Sequence, residues 1–450
     1  MNSLTRYQDT FGQLTFLKSY TQLCIGFHIS NASIAEDALT SAIQKAAAKL
    51  TDAFPWLAGQ VIVEAEANGL CDSKPFKIVP YEKHTVNPPV VVTKLLNIDY
   101  DEIVQKRAPF SMLDGNILAP RKGLPSSYDK EEEPAPVFII QANFVKNGLL
   151  LTFAAQHNIM DMNGQGHLIT LFAKALRGES FTQTELTEGN RDRRNLIPLL
   201  GPNDPLRDLS MFIVNADTPP PQPYPATWVY FRFSREKLNE LKAKALTSIT
   251  NANTSLQPST NDVLTAFIWK TVSTARSSRL SPTDRTILSR GCNARRILNP
   301  PLSPAYMGHC VACTFNPMPI NQLVDASLGD IALSLRQSLN AVDDYFVRSL
   351  VTLISRTADK GSISYAAQVD VSKDILVSSW AEQKSACLDY GVLGTPDFVR
   401  RHRFTALEGL VYLMPRTRDG DIDVAICLRD TDFEGLKKNG VWACFAEYVG

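Results

Sequence analysis

The chain has 450 residues, of which 44% are hydrophobic and 20% are charged, so it is long enough for two hydrophobic cores and is neither disordered nor fibrous. Lysine plus arginine and aspartate plus glutamate number 46 each. This balance of charge gives no reason to expect nucleic acid or an anionic membrane as a partner, and it suits small ligands of neutral or mixed charge.

The first part of the chain alternates helical and extended patterns. Residues 37–54 place apolar side chains on one face of a predicted helix, and Pro55 ends it. A strand is predicted for residues 56–63. Residues 136–145 and the apolar segment that starts at Leu149 predict a hairpin with an Asn-Gly turn.

The second strand of this hairpin leads to a histidine in the pattern His157-x-x-x-Asp161, and a helix is predicted to follow over residues 167–175. A histidine on a loop between a strand and a helix is exposed and rigidly held, and its neutral form can accept a proton near neutral pH. The alternative is a histidine packed beside a helix N-terminus, with Asp161 placed favourably at the positive end of the helix dipole.

Two segments are predicted to be irregular. Residues 130–136, which contain three consecutive glutamates, predict a solvated loop. Residues 218–225 are rich in proline, which is stiff and cannot join a central sheet, so this segment indicates a crossing between two domains. After it, residues 228–233 alternate like a strand, and Ser234 is predicted to cap a helix over residues 235–245.

Several patterns that would indicate other chemistry are missing from the sequence. Eight scattered cysteines are too sparse for a disulfide scaffold, and the spacing of Cys310 and Cys313 lacks a second ligand pair, so buried reduced thiols are expected rather than a metal site. There is no Gly-x-Ser-x-Gly elbow, glycine-rich phosphate loop or dinucleotide fingerprint. No signal-peptide core or membrane-spanning run is present, which predicts a cytoplasmic protein. We also expect a monomer.

Six blocks of sequence, in the same order along the chain, resemble the BAHD-type CoA-dependent acyltransferases, in particular their fungal branch of trichothecene 3-O-acetyltransferases. The likeness runs from Asp9 to Gly450 and therefore covers nearly the whole chain. The blocks lie at residues 54–60, 116–122, 160–162, 259–270, 293–302 and 377–380.

The resemblance implies an α/β fold of two similar-sized domains with mixed sheets, like chloramphenicol acetyltransferase, and a channel at their interface. It divides the chain into an N-terminal domain at residues 1–185, a crossover linker at 186–226 and a C-terminal domain at 227–450. It also implies an enzyme that transfers an acetyl group from acetyl-CoA to a hydroxyl of a terpenoid-like secondary metabolite in a ternary complex. Acetyl-CoA would be a co-substrate, with no tightly bound cofactor.

His157 and Asp161 are then the candidate catalytic motif, with His157 as the general base. A histidine near its ordinary pKa would make the rate rise from about pH 6 and level off near pH 8. By analogy with a serine-protease triad, Asp161 would orient the imidazole. The family pattern instead implies that Asp161 turns away and pairs with Arg295, which would pin the histidine loop to the second domain.

Other candidates line the implied channel. Ser379 and Trp380 are placed at its centre and could donate to a developing oxyanion, or they could be a packed strand end. Gly164 would let the backbone approach the pantetheine arm closely, or it could simply open the helix. Ser259 and Thr260 stand at a predicted helix N-terminus, where they could bind a phosphate of CoA or act as an ordinary cap.

A basic run and two departures from the family pattern also bear on the implied channel and its surroundings. The basic run 400–403 could meet the 3′-phosphate of CoA, but a solvated turn is the more usual interpretation. Residues 389–396 depart from the family's Asp-Phe-Gly-Trp-Gly motif, which puts the local loop geometry in doubt. His309 stands where the family usually has asparagine, which could reshape part of the channel.

Two other functions are possible on this scaffold. A condensation-type enzyme that forms amides or esters carries a doubled histidine, whereas here Gln156 precedes His157. A catalytically silent binding protein is the second alternative, and the retention of both His157 and Asp161 argues against it.

Overall fold

The structure is a computed structural model that describes residues 4–29, 36–63, 76–81, 90–124, 135–215, 224–250 and 255–450. Most of the predicted acidic loop at 130–136 and of the proline-rich segment at 218–225 lies outside the described residues, as does Cys71.

The strands of the described residues are β1 (Tyr20–His28), β2 (Gly59–Val63), β3 (Phe76–Pro80), β4 (Val90–Asp99), β5 (Ala135–Pro136), β6 (Phe138–Lys146), β7 (Gly148–Gln156), β8 (Ala226–Phe233), β9 (Arg285–Asn293), β10 (Val311–Pro319), β11 (Ile375–Ser379), β12 (Phe398–Arg400), β13 (Leu410–Leu413), β14 (Ile422–Arg429) and β15 (Glu447–Tyr448). The helices are α1 (Glu36–Ala53), α2 (Tyr100–Gln105), α3 (Gly115–Leu118), α4 (Met162–Leu176), α5 (Gln183–Gly189), α6 (Arg235–Thr247), α7 (Thr260–Arg276), α8 (Ile320–Asp325), α9 (Leu328–Asn340), α10 (Asp344–Arg356), α11 (Asp430–Lys438) and α12 (Gly440–Phe445).

The first sheet has the strand order β12-β1-β7-β6-β4. Strand β7 runs antiparallel to both of its neighbours, β1 and β6. Strand β4 runs parallel to β6. Helices α1 and α4 pack on this sheet, where Ile43 and Phe172 share one apolar core with Phe153 of β7. The histidine loop leaves the sheet at the end of β7.

The second sheet has the order β10-β9-β11-β13-β14-β8-β15 and mixes parallel and antiparallel pairs. Its core is shared with α6, α7 and α9 and includes Leu264 and Ile268 of α7 against Val424 of β14. Two such sheets with helices around them confirm the predicted fold class, a mixed α/β protein.

Strand β12 comes from the C-terminal half of the chain but pairs with β1 at the edge of the first sheet, with Cys24 opposite Arg400. Strand β12 therefore belongs to the first sheet, although its residues lie within the predicted C-terminal domain at 227–450. The exchange covers the outer edge of β1 and ties the two halves together.

The starting points of the predicted elements lie within two residues of those in the structure, with two exceptions. The predicted strand 56–63 begins only at Gly59, because Pro55–Ala58 form a 3-10 turn in which the buried Trp56 donates its indole N–H to the carbonyl of Gly189 at 3.1 Å. The helix predicted for 167–175 begins earlier, at Met162, because Asp161 caps it and the glycines near its start hid the helical pattern.

The remaining helix and hairpin predictions are confirmed. Helix α1 lies within one residue of the predicted range, and Ser234 caps α6 by accepting from the amide of Lys237. Asn147 adopts a positive φ of 63° in the turn between β6 and β7, as an Asn-Gly turn requires. Within the described part of the chain, no helix is long and apolar enough to cross a membrane.

Candidate active site

A cavity of about 1130 Å³ is lined by residues from both sheets. Tyr20 of β1 and His157 come from the first sheet and its loop, while Ser289 of β9, Val311 of β10 and Val377 of β11 come from the second. A volume of this size exceeds the usual range for a single drug-sized ligand, so it leaves room for two small molecules or for one long one.

His157 lies on the turn that follows β7, and its backbone is fixed by the bond from its own amide to the carbonyl of Ser19 at 2.9 Å. Its ring nitrogen Nδ1 is 3.2 Å from the carbonyl oxygen of Met160. A carbonyl oxygen only accepts, so Nδ1 carries the proton in this bond and Nε2 keeps its lone pair for the cavity. This is the tautomer that a general base requires.

The environment of His157 favours its neutral form. Burial lowers the pKa of His157 below its ordinary value, and the positive charge of Arg401 lowers it further, against the opposing effects of the Met160 carbonyl and Asp161. If His157 is the base, we therefore expect the rise of activity with pH to lie at lower pH than an unperturbed histidine would place it.

Asp161 and Arg295 form a buried bidentate ion pair, and each residue is about 1% exposed. The two nitrogens Nη1 and Nη2 of Arg295 donate to Oδ2 and Oδ1 of Asp161 at 2.7 and 3.0 Å. The amides of Gly164 and Cys310 donate to the same two oxygens at 2.9 and 2.8 Å. Burial raises the pKa of Asp161, but Arg295 and these hydrogen bonds outweigh it and hold the pKa at about 2.

The contact between Asp161 and Arg295 is the one that the family resemblance implies. All four hydrogen bonds to the carboxylate come from Arg295 or from backbone amides, so Asp161 does not hold the imidazole of His157 in the manner of a protease triad. Arg295 also donates to the carbonyls of Tyr306 and Gly308, which links the histidine loop to the segment before β10. The geometry therefore favours a positioning role for Asp161 over a catalytic one.

Ser378, Ser379 and Trp380 lie at the end of β11 and line the cavity. The indole N–H of Trp380 donates to the hydroxyl oxygen of Ser378 at 3.0 Å, and its backbone amide donates to Leu413, so neither is free for a ligand. Asn261 donates to the hydroxyl oxygen of Ser379 at 2.6 Å. Each serine thus accepts one bond and retains its own O–H proton as a donor.

The structure contradicts the channel position that was expected for Gly164. Gly164 is not one of the described residues that line the cavity. It is buried instead against the backbone of Met307. A Cβ at this position would lie 2.3 Å from the carbonyl oxygen of Met307, so a glycine is required for close packing at the start of α4. Its amide contributes to the site only through the bond to Asp161.

Ser259 and Thr260 have different surroundings. Ser259 lines the cavity but forms a capping box with Asp262 at the start of α7, and Thr260 does not belong to the described cavity wall. Asp262 is itself buried and paired with Arg290 and Arg336. The amide and the hydroxyl of Ser259 both donate to the carboxylate of Asp262 at 2.7 Å, so the geometry favours the ordinary cap over a CoA phosphate site.

Comparisons with known proteins assign the family. A model described as the Transferase family matches residues 121–441, and one described as the trichothecene 3-O-acetyltransferase-like N-terminal domain matches residues 19–176. The chain belongs to the Transferase family of BAHD-type acyltransferases.

Relatives in this family match over their full length. The chain is 38% identical to the O-acyltransferase pigD of Monascus ruber, with 100% of both chains covered. It is 36% identical to the trichothecene 3-O-acetyltransferase TRI101 of Fusarium sporotrichioides, covering 98% of this chain and 96% of the relative. The crystal structure of F. graminearum TRI101 complexed with coenzyme A and deoxynivalenol superposes with a TM-score of 0.92 at 35% identity, covering 98% and 99% of the two chains.

His309, the residue that departs from the BAHD-type pattern, lies beside the candidate base. Its ring centroid is 5.3 Å from that of His157, and its backbone amide donates to Asp9 at 2.9 Å. Burial, and secondarily the charge of His157, lower the pKa of His309 to about 3. His309 is therefore neutral at physiological pH and lines the cavity wall next to His157.

The loop that replaces the family's Asp-Phe-Gly-Trp-Gly motif packs away from the cavity. Its glycines Gly391 and Gly394 have positive φ values of 63° and 71°, which accommodate the extra residue. Tyr390 is buried with its ring edge on Phe27 at 5.0 Å. None of residues 389–396, all of which the structure describes, lines the cavity.

The basic run 400–403 is not a solvated turn, which corrects the more usual interpretation of its charge. Arg400 follows Val399 in β12 and pairs with Asp423 at 2.6 Å, and Arg401 lines the cavity at 6% exposure. Only Arg403 extends to the surface, where it contacts Asp114. The aromatic residues that cover Arg401 lie mostly far along the chain, so no local pattern indicated its burial.

Proposed function

We propose that this chain is an acetyl-CoA-dependent O-acetyltransferase that acts on a hydroxyl of a small secondary metabolite. The observation that carries the proposal is the contact between Nδ1 of His157 and the carbonyl oxygen of Met160, which leaves Nε2 to accept a proton inside a cavity shared by both halves of the molecule. Full-length similarity to named O-acyltransferases supports the same chemistry.

In the proposed reaction, the acceptor oxygen attacks the thioester carbonyl carbon while its proton moves to Nε2 of His157. The carbonyl π electrons move to oxygen and give a tetrahedral oxyanion. When the carbonyl re-forms, the bond between carbon and sulfur breaks, and the CoA thiolate takes the proton back from His157. The enzyme ends the cycle unchanged.

The hydroxyls of Ser378 and Ser379 are the proposed donors to the oxyanion. Both line the cavity, and both oxygens accept a hydrogen bond, so each hydroxyl keeps its own O–H proton for another acceptor. Such a donor near the thioester carbonyl would stabilise the negative charge that develops on its oxygen.

The wall of the cavity contains two kinds of side chain. Polar and charged side chains, including the exposed Arg296 and Asn340, suit the phosphates and amides of CoA. The aromatic side chains of Tyr20, Phe404 and Tyr412 suit the apolar body of an acceptor. Neighbouring structures have been solved with coenzyme A and with the trichothecenes deoxynivalenol and T-2, which supports a terpenoid-like acceptor for this chain.

A covalent acetyl-enzyme is not part of the proposal, because the cysteines at the site are not activated. Cys292 and Cys313 line the cavity, but burial raises the pKa of Cys292 to about 11 and that of Cys313 well above its ordinary value. A thiol that is not ionised near neutral pH is a poor nucleophile. Direct transfer in a ternary complex follows.

We also propose an N-terminal domain at residues 1–185, a linker at 186–226 and a C-terminal domain at 227–450, with β12 of the last domain joining the first sheet. We further propose that the protein is a monomer in the cytoplasm. Size-exclusion chromatography and cell fractionation would test these two expectations.

The test is incubation of the purified chain with acetyl-CoA and a panel of hydroxylated terpenoids and polyketides, followed by mass spectrometry of the products. We expect a product that has gained one acetyl group in place of a hydrogen. Binding of CoA without transfer to any alcohol would instead favour a silent binding protein, and transfer only to amines would favour an amide-forming enzyme.

A further inference from the structure

Arg401 has an unusual position for an arginine. It follows β12, and its backbone is fixed on both sides by Tyr230, whose hydroxyl accepts from the Arg401 amide at 2.7 Å and donates to the Arg401 carbonyl at 3.0 Å. Only 6% of the residue is exposed, and it lines the same cavity as His157.

The guanidinium of Arg401 has no carboxylate partner among the described residues. The other two arginines of the run 400–403 have carboxylate partners, since Arg400 pairs with Asp423 and Arg403 pairs with Asp114. The atom Nε of Arg401 is buried without a hydrogen-bond partner. Burial of an uncompensated charge is unfavourable, so an unpaired guanidinium in a ligand cavity indicates a position for an anion.

Aromatic rings hold this guanidinium in place. Its central carbon lies 4.2 Å from the ring centroid of Phe404, 4.5 Å from that of Tyr412 and 5.6 Å from that of Trp380. Cation–π contacts stabilise the charge partly, but the rings offer no acceptor for the N–H groups of the fork. The N–H groups therefore remain available to a planar, bidentate acceptor such as a carboxylate.

The surroundings favour the acceptor over the donor as the source of this anion. Phe404 and Tyr412 line the cavity and lie against the guanidinium of Arg401, and their rings offer little to the hydrated phosphates of CoA. Arg296, an exposed cationic group of the cavity wall that suits phosphates, follows β9, whereas Arg401 follows β12.

We propose that Arg401 binds an anionic oxygen of the acceptor, so that the preferred acceptors carry a carboxylate or an ionised phenol on a largely apolar body. This inference rests on the proposed acetyltransferase function and narrows its acceptor class. Neutral alcohols of the same size are expected to be poorer substrates than their acidic counterparts.

The test measures binding, so that it does not depend on acetyl transfer. Titration calorimetry with the full chain compares 4-(hydroxymethyl)benzoate with its neutral match, 4-(hydroxymethyl)benzamide. We expect the carboxylate to bind at least about tenfold more tightly, because a bidentate pair of charges adds strong hydrogen bonds. A second titration uses 4-hydroxy-3-nitrobenzyl alcohol, whose visible absorbance reports whether the bound phenol is ionised. Comparison of its affinity with that of the benzoate distinguishes a phenolate from a carboxylate as the preferred anion.

The variants are Arg401→Met, Arg401→Lys and the surface control Arg403→Met. We expect Arg401→Met to remove the preference for the anion, Arg401→Lys to retain part of it, and Arg403→Met to leave it unchanged. Thermal unfolding of each variant verifies folding, and the lysine variant keeps the test decisive if the methionine variant is unstable.

Three results would overturn the proposal. The first is equal affinity for the benzoate and the benzamide together with no ionisation of the bound nitrophenol, and the second is a preference for the anion that survives in Arg401→Met. The third is displacement of the benzoate by adenosine 3′,5′-bisphosphate, which would assign Arg401 to the CoA site. If the anion binds as expected but no alcohol is acetylated in the product assay, the proposed function fails while the anion site stands.

Discussion

Replacing Asp161 with asparagine tests the buried contact that fixes the histidine loop. In the structure the carboxylate accepts two bonds from Arg295 and one each from the amides of Gly164 and Cys310. Asparagine has one acceptor oxygen and one NH2 group, so at least one of these donors would face another donor. Removal of one partner from a buried ion pair commonly costs about 3–5 kcal/mol.

The assay is denaturant unfolding at neutral pH, with the free energy of unfolding extrapolated to water for the parent, Asp161→Asn, Arg295→Met and the double variant. We expect each single variant to lose about 3–5 kcal/mol and the double variant to lose less than the sum, because the second change removes an already unpaired group. The surface pair Glu102–Lys106 supplies the control, since Glu102→Gln should change the free energy by less than about 1 kcal/mol.

The outcome for acetyl transfer separates positioning from catalysis. Asp161→Asn should lower the rate because the histidine loop loses its anchor to the second half of the molecule. A loss of stability under about 1 kcal/mol in Asp161→Asn, or strict additivity in the double variant, would refute the argument that this pair is a buried, coupled contact.

Four further predictions concern the site. His157→Gln should lower the transfer rate by about 10²–10⁴-fold with an unchanged melting temperature, and a folded variant within threefold of the parent would exclude His157 as the base. In the parent, the transfer rate should reach half its maximum at a pH below about 6.5, the ordinary pKa of histidine, because burial lowers the pKa of His157 and the deprotonated form is the active one; a midpoint above that pH would contradict this. Single replacements of Ser378 and Ser379 by alanine should lower kcat more than they change KM, by up to about 10²–10³-fold if the serine donates to the oxyanion, and a change in KM alone would argue for substrate binding instead. Gly164→Ala should destabilise the fold by about 1–3 kcal/mol in thermal unfolding, since its Cβ would lie 2.3 Å from the carbonyl oxygen of Met307, and an unchanged melting temperature would show that the helix start can shift.

The parts of the site that sequence could predict depend on local signals. A continuous apolar run from Leu149 and an Asn-Gly turn are enough to place His157 at the end of a strand, because both features act within a few residues. The start of α4 was placed too late, because glycines at 164 and 166 weaken the helical pattern that Asp161 nevertheless caps.

Contacts between distant residues were beyond such reasoning. Asp161 and Arg295 are 134 residues apart, and their pairing was implied by family resemblance rather than by any spacing in the chain. The burial of Arg401 was missed, because the charge of its run predicts solvent and two of its three covering rings, Trp380 and Tyr412, come from other strands and loops. The exchange of β12 into the first sheet has the same non-local origin.

We expect His157 to promote direct transfer of acetyl between two bound substrates, without an acetylated protein. The decisive experiment is rapid mixing of the purified chain with acetyl-CoA alone, with free CoA followed in time and the intact protein mass measured afterwards. Direct transfer gives no early burst of CoA and no added acetyl group on the protein until an acceptor alcohol is supplied. A burst of CoA stoichiometric with enzyme, together with an acetylated protein, would contradict it and would direct attention to a cysteine of the cavity wall.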